Sequence, residues 1–166
     1  MKETTKPYTL IIIDMQYGFT AADSKTLHKK IKREINRAQR THSDIIFVTY
    51  DEKYHGGTFE DLLDYASRND YDDVMSVEKF KADGGKEIIE ILNEDKQHHL
   101  KIAGVQTSVC VADTVHTLAK ELPNSNIEIM RDCVRDFPYR KGAQTKAWSD
   151  LSFMLKEFHN QIQLRA

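Results

Sequence analysis

Ile102-Ala103-Gly104-Val105-Gln106-Thr107-Ser108-Val109-Cys110-Val111 combines the end of an apolar strand, a short turn and the first turn of a helix. The apolar residues that follow recur at the spacing of one helical face. They are Val115, Leu118, Ala119 and Leu122. Cys110 is therefore predicted to lie close to the start of a helix, just beyond the carboxyl end of a buried strand.

This position gives the Cys110 thiol two chemical possibilities. Unpaired N–H groups and the positive end of the helix dipole favour an anion there, which would lower the thiol pKa and increase the thiolate fraction. The same N–H groups could hold the oxyanion that forms when a carbonyl carbon is attacked. A free cysteine in an intracellular protein is more often a small buried apolar residue, so Cys110 alone does not establish a nucleophile.

Strands and helices alternate along the rest of the chain. Apolar, β-branched runs predict five strands, at residues 8–13, 44–50, 74–77, 99–104 and 126–130. Helical spacing separates them, and a last helix over 141–158 would bury Trp148 as a core anchor. The alternation favours an α/β fold with a single domain over residues 1–166. We expect three layers, a mostly parallel sheet of five or six strands, and helices on both faces.

Four chemically active residues follow these strands. Asp14, Asp51, Lys79 and Cys110 all fall at the carboxyl edge of the sheet, where ligands bind in such folds. Asp14 could accept the Cys110 proton and later pass it to a leaving amine, while Lys79 could keep Asp14 ionised or stabilise the thiolate. Taken singly, Asp14 could instead cap a turn, and Lys79 could be a surface lysine. A phosphoacceptor domain would need further acids beside Asp14, and none is adjacent.

Composition argues against several other classes of protein. The 24 basic and 26 acidic residues give a net charge of −2 without a long block of either sign, so neither nucleic acid nor an anionic membrane is expected as a partner. The basic residues within 29–33 and 37–40 fit the solvated face of an amphipathic helix. No apolar run is long enough to span a bilayer or form a signal peptide, and two cysteines without paired spacing do not suggest a disulfide scaffold. We therefore expect a cytoplasmic protein.

Three segments together suggest a family. They are Leu10-Ile11-Ile12-Ile13-Asp14-Met15-Gln16 with Phe19, then Val77-Glu78-Lys79, then Gly104-Val105-Gln106-Thr107-Ser108-Val109-Cys110-Val111. In sequence and order they resemble the signature segments of the isochorismatase-like cysteine hydrolases, which include nicotinamidases and carbamoyl-amide hydrolases. Asp132, after the fifth predicted strand, matches a recurrent acid of that family. The resemblance covers most of the chain.

The resemblance implies a catalytic triad of Asp14, Lys79 and Cys110. It also implies a cis peptide bond between Val105 and Gln106, which would turn the N–H groups of Gln106 and Cys110 toward one oxyanion. Family members named for isochorismate cleavage lack the cysteine, so Cys110 favours hydrolysis of an amide or carbamoyl bond through a thioester. A homo-oligomer, either a dimer or a tetramer, is expected on the same basis.

The residues after the second strand depart from the metal-binding nicotinamidases. Those enzymes begin this segment with Asp-x-His, whereas this chain has Asp51, Glu52 and Lys53. His55 is nearby, but one Asp and one His are fewer than the three or four ligands that a metal usually has. We therefore expect no catalytic metal, no cofactor and a substrate other than nicotinamide. The sequence leaves open whether Asp51 and His55 bind a metal.

Gln16, Phe19 and Tyr50 are candidates for the substrate pocket, although Phe19 and Tyr50 could equally belong to the core. Cys133 could be a resolving thiol, but simple packing is favoured. Residues 135 and 139–141 could receive an anionic substrate or a neighbouring subunit.

Together these features predict a cysteine hydrolase that cleaves a C–N bond of a small amide or carbamoyl/ureido substrate. The alternative is a catalytically inactive domain of the same fold that binds a metabolite or a protein partner. Ammonia release that depends on Cys110 would separate the two.

Overall fold

Six parallel strands form one sheet in the order β3-β2-β1-β4-β5-β6. The computed structural model describes residues 7–92, 97–137, 151 and 155–165. The strands are β1 (Thr9–Ile13), β2 (Asp44–Tyr50), β3 (Val74–Lys79), β4 (His99–Val105), β5 (Asn126–Arg135) and β6 (Ile162–Arg165). The predicted α/β fold is confirmed.

Helices cover both faces of the sheet. They are α1 (Lys25–Arg40), α2 (Glu52–His55), α3 (Glu60–Ala66), α4 (Gly85–Ile91) and α5 (Ala112–Glu121), with short 3-10 turns at Arg68–Asp70 and Leu155–Phe158. The apolar faces of α1 and α3 pack on one side of the sheet, and those of α4 and α5 pack on the other. None of the helices in the described residues is long and apolar enough to cross a membrane.

The central strand β1 explains why the site residues meet. Every residue of β1 is buried, with Leu10 and Ile12 on one face and Ile11 and Ile13 on the other. β2 and β4 flank it in register, so that Ile13 lies beside both Val48 and Gly104. Side chains that follow these strands therefore emerge at the same edge of the sheet.

Gly104 is required for the close approach of β1 and β4. Its φ of 117° lies in a region that residues with side chains rarely adopt, and a Cβ atom there would overlap the carbonyl oxygen of Ile13. The absence of a side chain lets β4 run tightly along the end of β1. The chain can then turn into the Cys110 segment beside Asp14.

The fifth strand extends further than the sequence predicted. Its register with β4 shifts between Ile102 and Gly104, and strand pairing resumes at Val134 and Arg135. The prediction ended this strand at residue 130 because polar residues follow Met130. Asp132 consequently does not follow the strand: it lies within it and pairs with Lys30 at 3.2 Å.

Two other predicted features need correction or fall outside the structure. The sequence predicts Asp23 or Ser24 as the cap of the first helix and Thr58 as the start of a short helix. Ser24 caps α1 by accepting a hydrogen bond from the Leu27 N–H, but Thr58 does not cap α3. Thr58 instead forms an antiparallel bridge with Gln16. Most of the predicted last helix, including Trp148, lies outside the described residues; Leu151 and Leu155 are buried in the core.

Candidate active site

Asp14 and Lys79 form a buried ion pair at the carboxyl edge of the sheet. The Lys79 Nζ lies 2.9 Å from Asp14 Oδ2, and the two side chains are 0% and 1% exposed. Lys79 also donates a hydrogen bond to the Ala82 carbonyl oxygen at 2.6 Å. The N–H of Asp14 donates to Val48 O at 2.9 Å, which fixes Asp14 immediately beyond β1. Burial of both charges in one place is costly, so each charge depends on the other for compensation.

Cys110 joins this pair from the other side of β1. Its thiol lies close enough to the Asp14 carboxylate and the Lys79 ammonium for both charges to act on the pKa of the thiol. The residue is only 4% exposed. The structure thus brings together the three residues that the sequence predicted as a triad.

The segment around Cys110 forms a wider turn than the expected first turn of an α-helix. Thr107–Val111 forms a π-helical turn that leads into α5. The Gln106 carbonyl oxygen accepts hydrogen bonds from the N–H groups of Val109 and Val111, both at 3.1 Å. A π-helical turn is often found at a functional site, and here it places the cysteine close to Asp14.

Asp136 is a site residue that the sequence reasoning missed. It follows the true end of β5, and its carboxylate accepts a hydrogen bond from the Ser108 N–H at 3.2 Å. The Asp136 side chain is buried, and its carboxylate also accepts a hydrogen bond from the Phe137 N–H. Asp136 therefore anchors the turn that holds Cys110. A sequence prediction that ended the fifth strand at residue 135 would have identified Asp136 as the first residue beyond it.

Burial raises the pKa of the Asp14 carboxyl above its usual range, although the nearby Lys79 charge and the Cys110 and Lys79 hydrogen bonds oppose this rise. Desolvation and the Asp14 charge raise the pKa of the Cys110 thiol to about 12, against the opposing effect of Lys79. The sequence had suggested a lowered thiol pKa. In the resting site the thiol is instead held protonated beside a carboxylate whose basicity is increased.

The peptide bond between Val105 and Gln106 is cis, as the resemblance implied. Gln106 is buried at the entry to the π-helical turn. The oxyanion role of the Gln106 and Cys110 N–H groups stays a prediction.

Gln16 is fully buried and braces the loops around the site. Its Nε2 donates to Tyr50 O at 3.1 Å and to Gly56 O at 2.5 Å, while its Oε1 accepts from the Tyr50 N–H at 2.6 Å. The side-chain amide of Gln16 therefore makes its hydrogen bonds with main-chain groups. Its predicted contact with substrate is not tested by these bonds.

Aromatic rings line the Lys79 side of the triad. Phe19 and Tyr50 are half-buried, and the Lys79 Nζ lies 5.0 Å from the centroid of the Tyr50 ring. Both rings also contact the imidazole of His55. Phe19 and Tyr50 thus lie where a pocket beside the triad would have its wall.

Asp51 and His55 are the two candidate residues after β2 that could contribute to a metal site, and their backbones are joined by the hydrogen bond from the His55 N–H to Asp51 O. Within the described residues, no three His, Cys, Asp or Glu side chains come together as ligands would have to. Two donors fall short of the coordination that a catalytic metal needs. The expected absence of a metal stays an expectation.

Of the remaining candidates, Cys133 is buried against α1. Burial and the Glu34 charge raise the pKa of its thiol to about 12. Arg135 is half-buried at the end of β5, whereas residues 139–141 lie outside the described residues.

Solved structures similar to this chain share its fold. The pyrazinamidase/nicotinamidase of Streptococcus mutans has a TM-score of 0.73 at 18% identity. The match covers 94% of this chain and 99% of the Streptococcus mutans chain. An octameric hydrolase of unknown specificity from Escherichia coli has a TM-score of 0.73 at 17% identity, covering 98% and 76%. The MAR1 ribonuclease of Caenorhabditis elegans has a TM-score of 0.71 at 17% identity, covering 96% and 77%.

These identities are low and the named activities differ, so the structural likeness shows the fold alone. No match is found among curated proteins. The model of the isochorismatase domain, however, matches residues 8–158. That match spans most of the chain, and the protein therefore belongs to the isochorismatase-like hydrolase family.

Proposed function

We propose that this protein is a cysteine hydrolase that cleaves a C–N bond of a small amide or carbamoyl/ureido substrate. The observation that supports this most is the buried Asp14 and Lys79 ion pair within reach of the Cys110 thiol. A nucleophile beside a base that is itself held by a third group is the arrangement that nucleophilic catalysis requires.

In the first half of the reaction, the Cys110 sulfur attacks the carbonyl carbon while its proton passes to Asp14. The carbonyl oxygen becomes an oxyanion, for which the N–H groups of Gln106 and Cys110 are the proposed donors. When the tetrahedral intermediate collapses, the C–N bond breaks and Asp14 returns the proton to the leaving nitrogen. Ammonia or an amine departs, and the acyl group remains on sulfur as a thioester.

In the second half, water attacks the thioester carbon and gives its proton to Asp14. The carbon–sulfur bond then breaks, the acid product leaves, and the proton returns to the Cys110 sulfur. Lys79 keeps Asp14 ionised at the start of each half-reaction because its ammonium opposes the rise in the Asp14 pKa caused by burial. No metal is needed for any of these steps.

Assembly and location extend the proposal. We expect a homo-oligomer, a dimer or a tetramer, and the octameric hydrolase of similar fold supports self-association. Light scattering on the purified chain would measure it directly, and a monomer at micromolar concentration would contradict it. Two free cysteines fit a reducing, cytoplasmic location.

The test of the activity is a panel of small primary amides and ureido compounds, with ammonia release as the readout. The wild-type chain should hydrolyse at least one class, and Cys110→Ala should lower that rate by about a thousandfold or more. Cys133→Ala is the matched control, because it also removes a buried thiol but lies outside the site. Failure of the wild-type chain on every compound would favour a binding domain of the same fold.

A further inference from the structure

His55 places an imidazole beside the triad that the mechanism above does not use. Its ring stacks on Phe19 with centroids 4.7 Å apart and an interplanar angle of 18°, and it lies 5.0 Å from the Tyr50 ring. Because the Phe19 and Tyr50 centroids are 6.4 Å apart, the three rings form a triangle and not a sandwich. A charge on His55 also acts on the Asp14 carboxyl.

The main chain holds this imidazole in place from both sides. The His55 carbonyl oxygen accepts the Gly18 N–H at 2.8 Å, and the His55 N–H donates to Asp51 O at 3.0 Å. A Cβ at Gly18 would come within 2.6 Å of the His55 oxygen, so glycine permits the contact. Gln16 secures the following residue through Gly56 O. The position of the ring is therefore built by the loops and does not depend on the ring itself.

The ring nitrogens of His55 have no hydrogen-bond partner among the residues that the structure describes. Two other histidines differ: His28 bonds to Asp61 and to the Ala22 carbonyl oxygen, and His99 contacts Glu128. A half-buried imidazole that is held by its neighbours, yet has no hydrogen-bond partner in the described part of the chain, has donor capacity available for a ligand.

The charges nearby indicate which ligand group fits. Asp14 and Lys79 balance one another, and the Lys79 ammonium is already committed to Asp14 and the Ala82 carbonyl. Phe19 offers no polar atom. An additional imidazole N–H donor would be satisfied best by an anionic acceptor, because charge-assisted hydrogen bonds are shorter and stronger than neutral ones.

We propose that His55 is a specificity-determining residue whose imidazole N–H binds a carboxylate on the non-reacting end of the substrate. This inference rests on the proposed function, since it assigns the substrate as a small amide or ureido compound that carries a carboxylate. Phe19 and Tyr50 contact the His55 ring and fix its position. They thereby fix the distance between the bound carboxylate and the Cys110 sulfur.

The test needs no substrate, because iodoacetate and iodoacetamide both alkylate thiols but only iodoacetate carries a carboxylate. The ratio of their rate constants at Cys110 is measured site by site with mass spectrometry at one fixed pH. His55→Phe keeps a stacking ring and removes the N–H, and it should lower the ratio by about threefold or more. The rate with iodoacetamide should stay within about twofold of the wild-type rate.

His116→Phe is the matched control, since His116 lies on α5 and pairs edge-on with Phe158, not with the Phe19 and Tyr50 rings, and its ratio should equal that of the wild-type chain. His55→Gln keeps a donor and should retain part of the preference. An unchanged ratio in both His55 variants would overturn the proposal, and so would a loss of the wild-type ratio on adding a chelator, which would indicate a bound metal. Alkylation proceeds without turnover, so this result is independent of ammonia release.

Discussion

The Lys79 Nζ lies 2.9 Å from Asp14 Oδ2, with both side chains removed from solvent. The Lys79 charge is the largest of the effects that oppose the rise in the Asp14 pKa caused by burial, so the carboxylate depends mainly on the lysine. Such a pair adds little to stability, because the loss of hydration offsets much of the attraction between the charges. Its place beside Cys110 gives the arrangement a chemical use.

The first prediction concerns the cost of breaking this pair. Lys79→Met leaves a buried carboxylate without compensation, so the free energy of unfolding in urea should fall by about 3 to 5 kcal/mol at neutral pH. Adding Asp14→Asn to that variant should recover part of the loss. Additive losses in the double variant would show that the two residues do not act as a pair.

Asp14→Asn should separate thiol reactivity from turnover. The Asp14 charge helps to raise the Cys110 pKa to about 12, so its removal should lower that pKa and speed alkylation by iodoacetamide near pH 8. Turnover should fall by about a hundredfold or more, because the base is lost. Parallel changes in alkylation and turnover would contradict the assignment of Asp14 as the base.

Gly104→Ala should disrupt the approach of β4 to β1. A Cβ would overlap the Ile13 carbonyl oxygen, and the φ of 117° is unfavourable for alanine. We expect a loss of about 3 kcal/mol or more in thermal or urea unfolding. Gly57→Ala is the control, because nothing lies within 4 Å of its added Cβ. A Gly104→Ala chain as stable as the control would show that the strands can move apart freely.

Cys133 should contribute to the loss of stability at alkaline pH. Burial and the Glu34 charge raise its pKa from 9.0 to about 12 in the folded chain. The thiol therefore ionises first in the unfolded chain, and stability present below pH 9 is lost as pH rises toward 12. At pH 10 the loss from this group is on the order of 1 kcal/mol. Between pH 8 and 10, the free energy of unfolding should fall less steeply for Cys133→Val than for the wild-type chain. The same slope in both chains would contradict the raised pKa.

The sequence was most informative where apolar runs end at a polar residue. The β2 bounds were predicted correctly, and the residues after β1, at the end of β3 and after β4 gave Asp14, Lys79 and Cys110. These signals are local, because a strand buried on both faces must be apolar throughout and its first charged residue marks an end. The parallel order of the strands then brings the three side chains together.

Features set by tertiary contacts were not predictable in this way. β5 continues past Met130 because pairing with β4 resumes after the register shift, although polar residues interrupt the apolar run. Because the predicted strand ended too early, Asp136 was not recognised as a residue near Cys110. Asp132 was placed after the strand, although it lies within it and pairs with Lys30. The pKa of Cys110 likewise depends on burial and on Asp14, which outweigh the expected effect of a helix start.

The central claim is that Cys110 carries the acyl group during turnover. The most direct measurement is the mass of the chain quenched in acid while it hydrolyses its best substrate, with peptide mapping of the adduct. A substrate-derived acyl group on Cys110 that disappears when the substrate is exhausted is the predicted result. Ammonia release by Cys110→Ala at the wild-type rate, with Cys110 unmodified throughout turnover in the wild-type chain, would contradict the account.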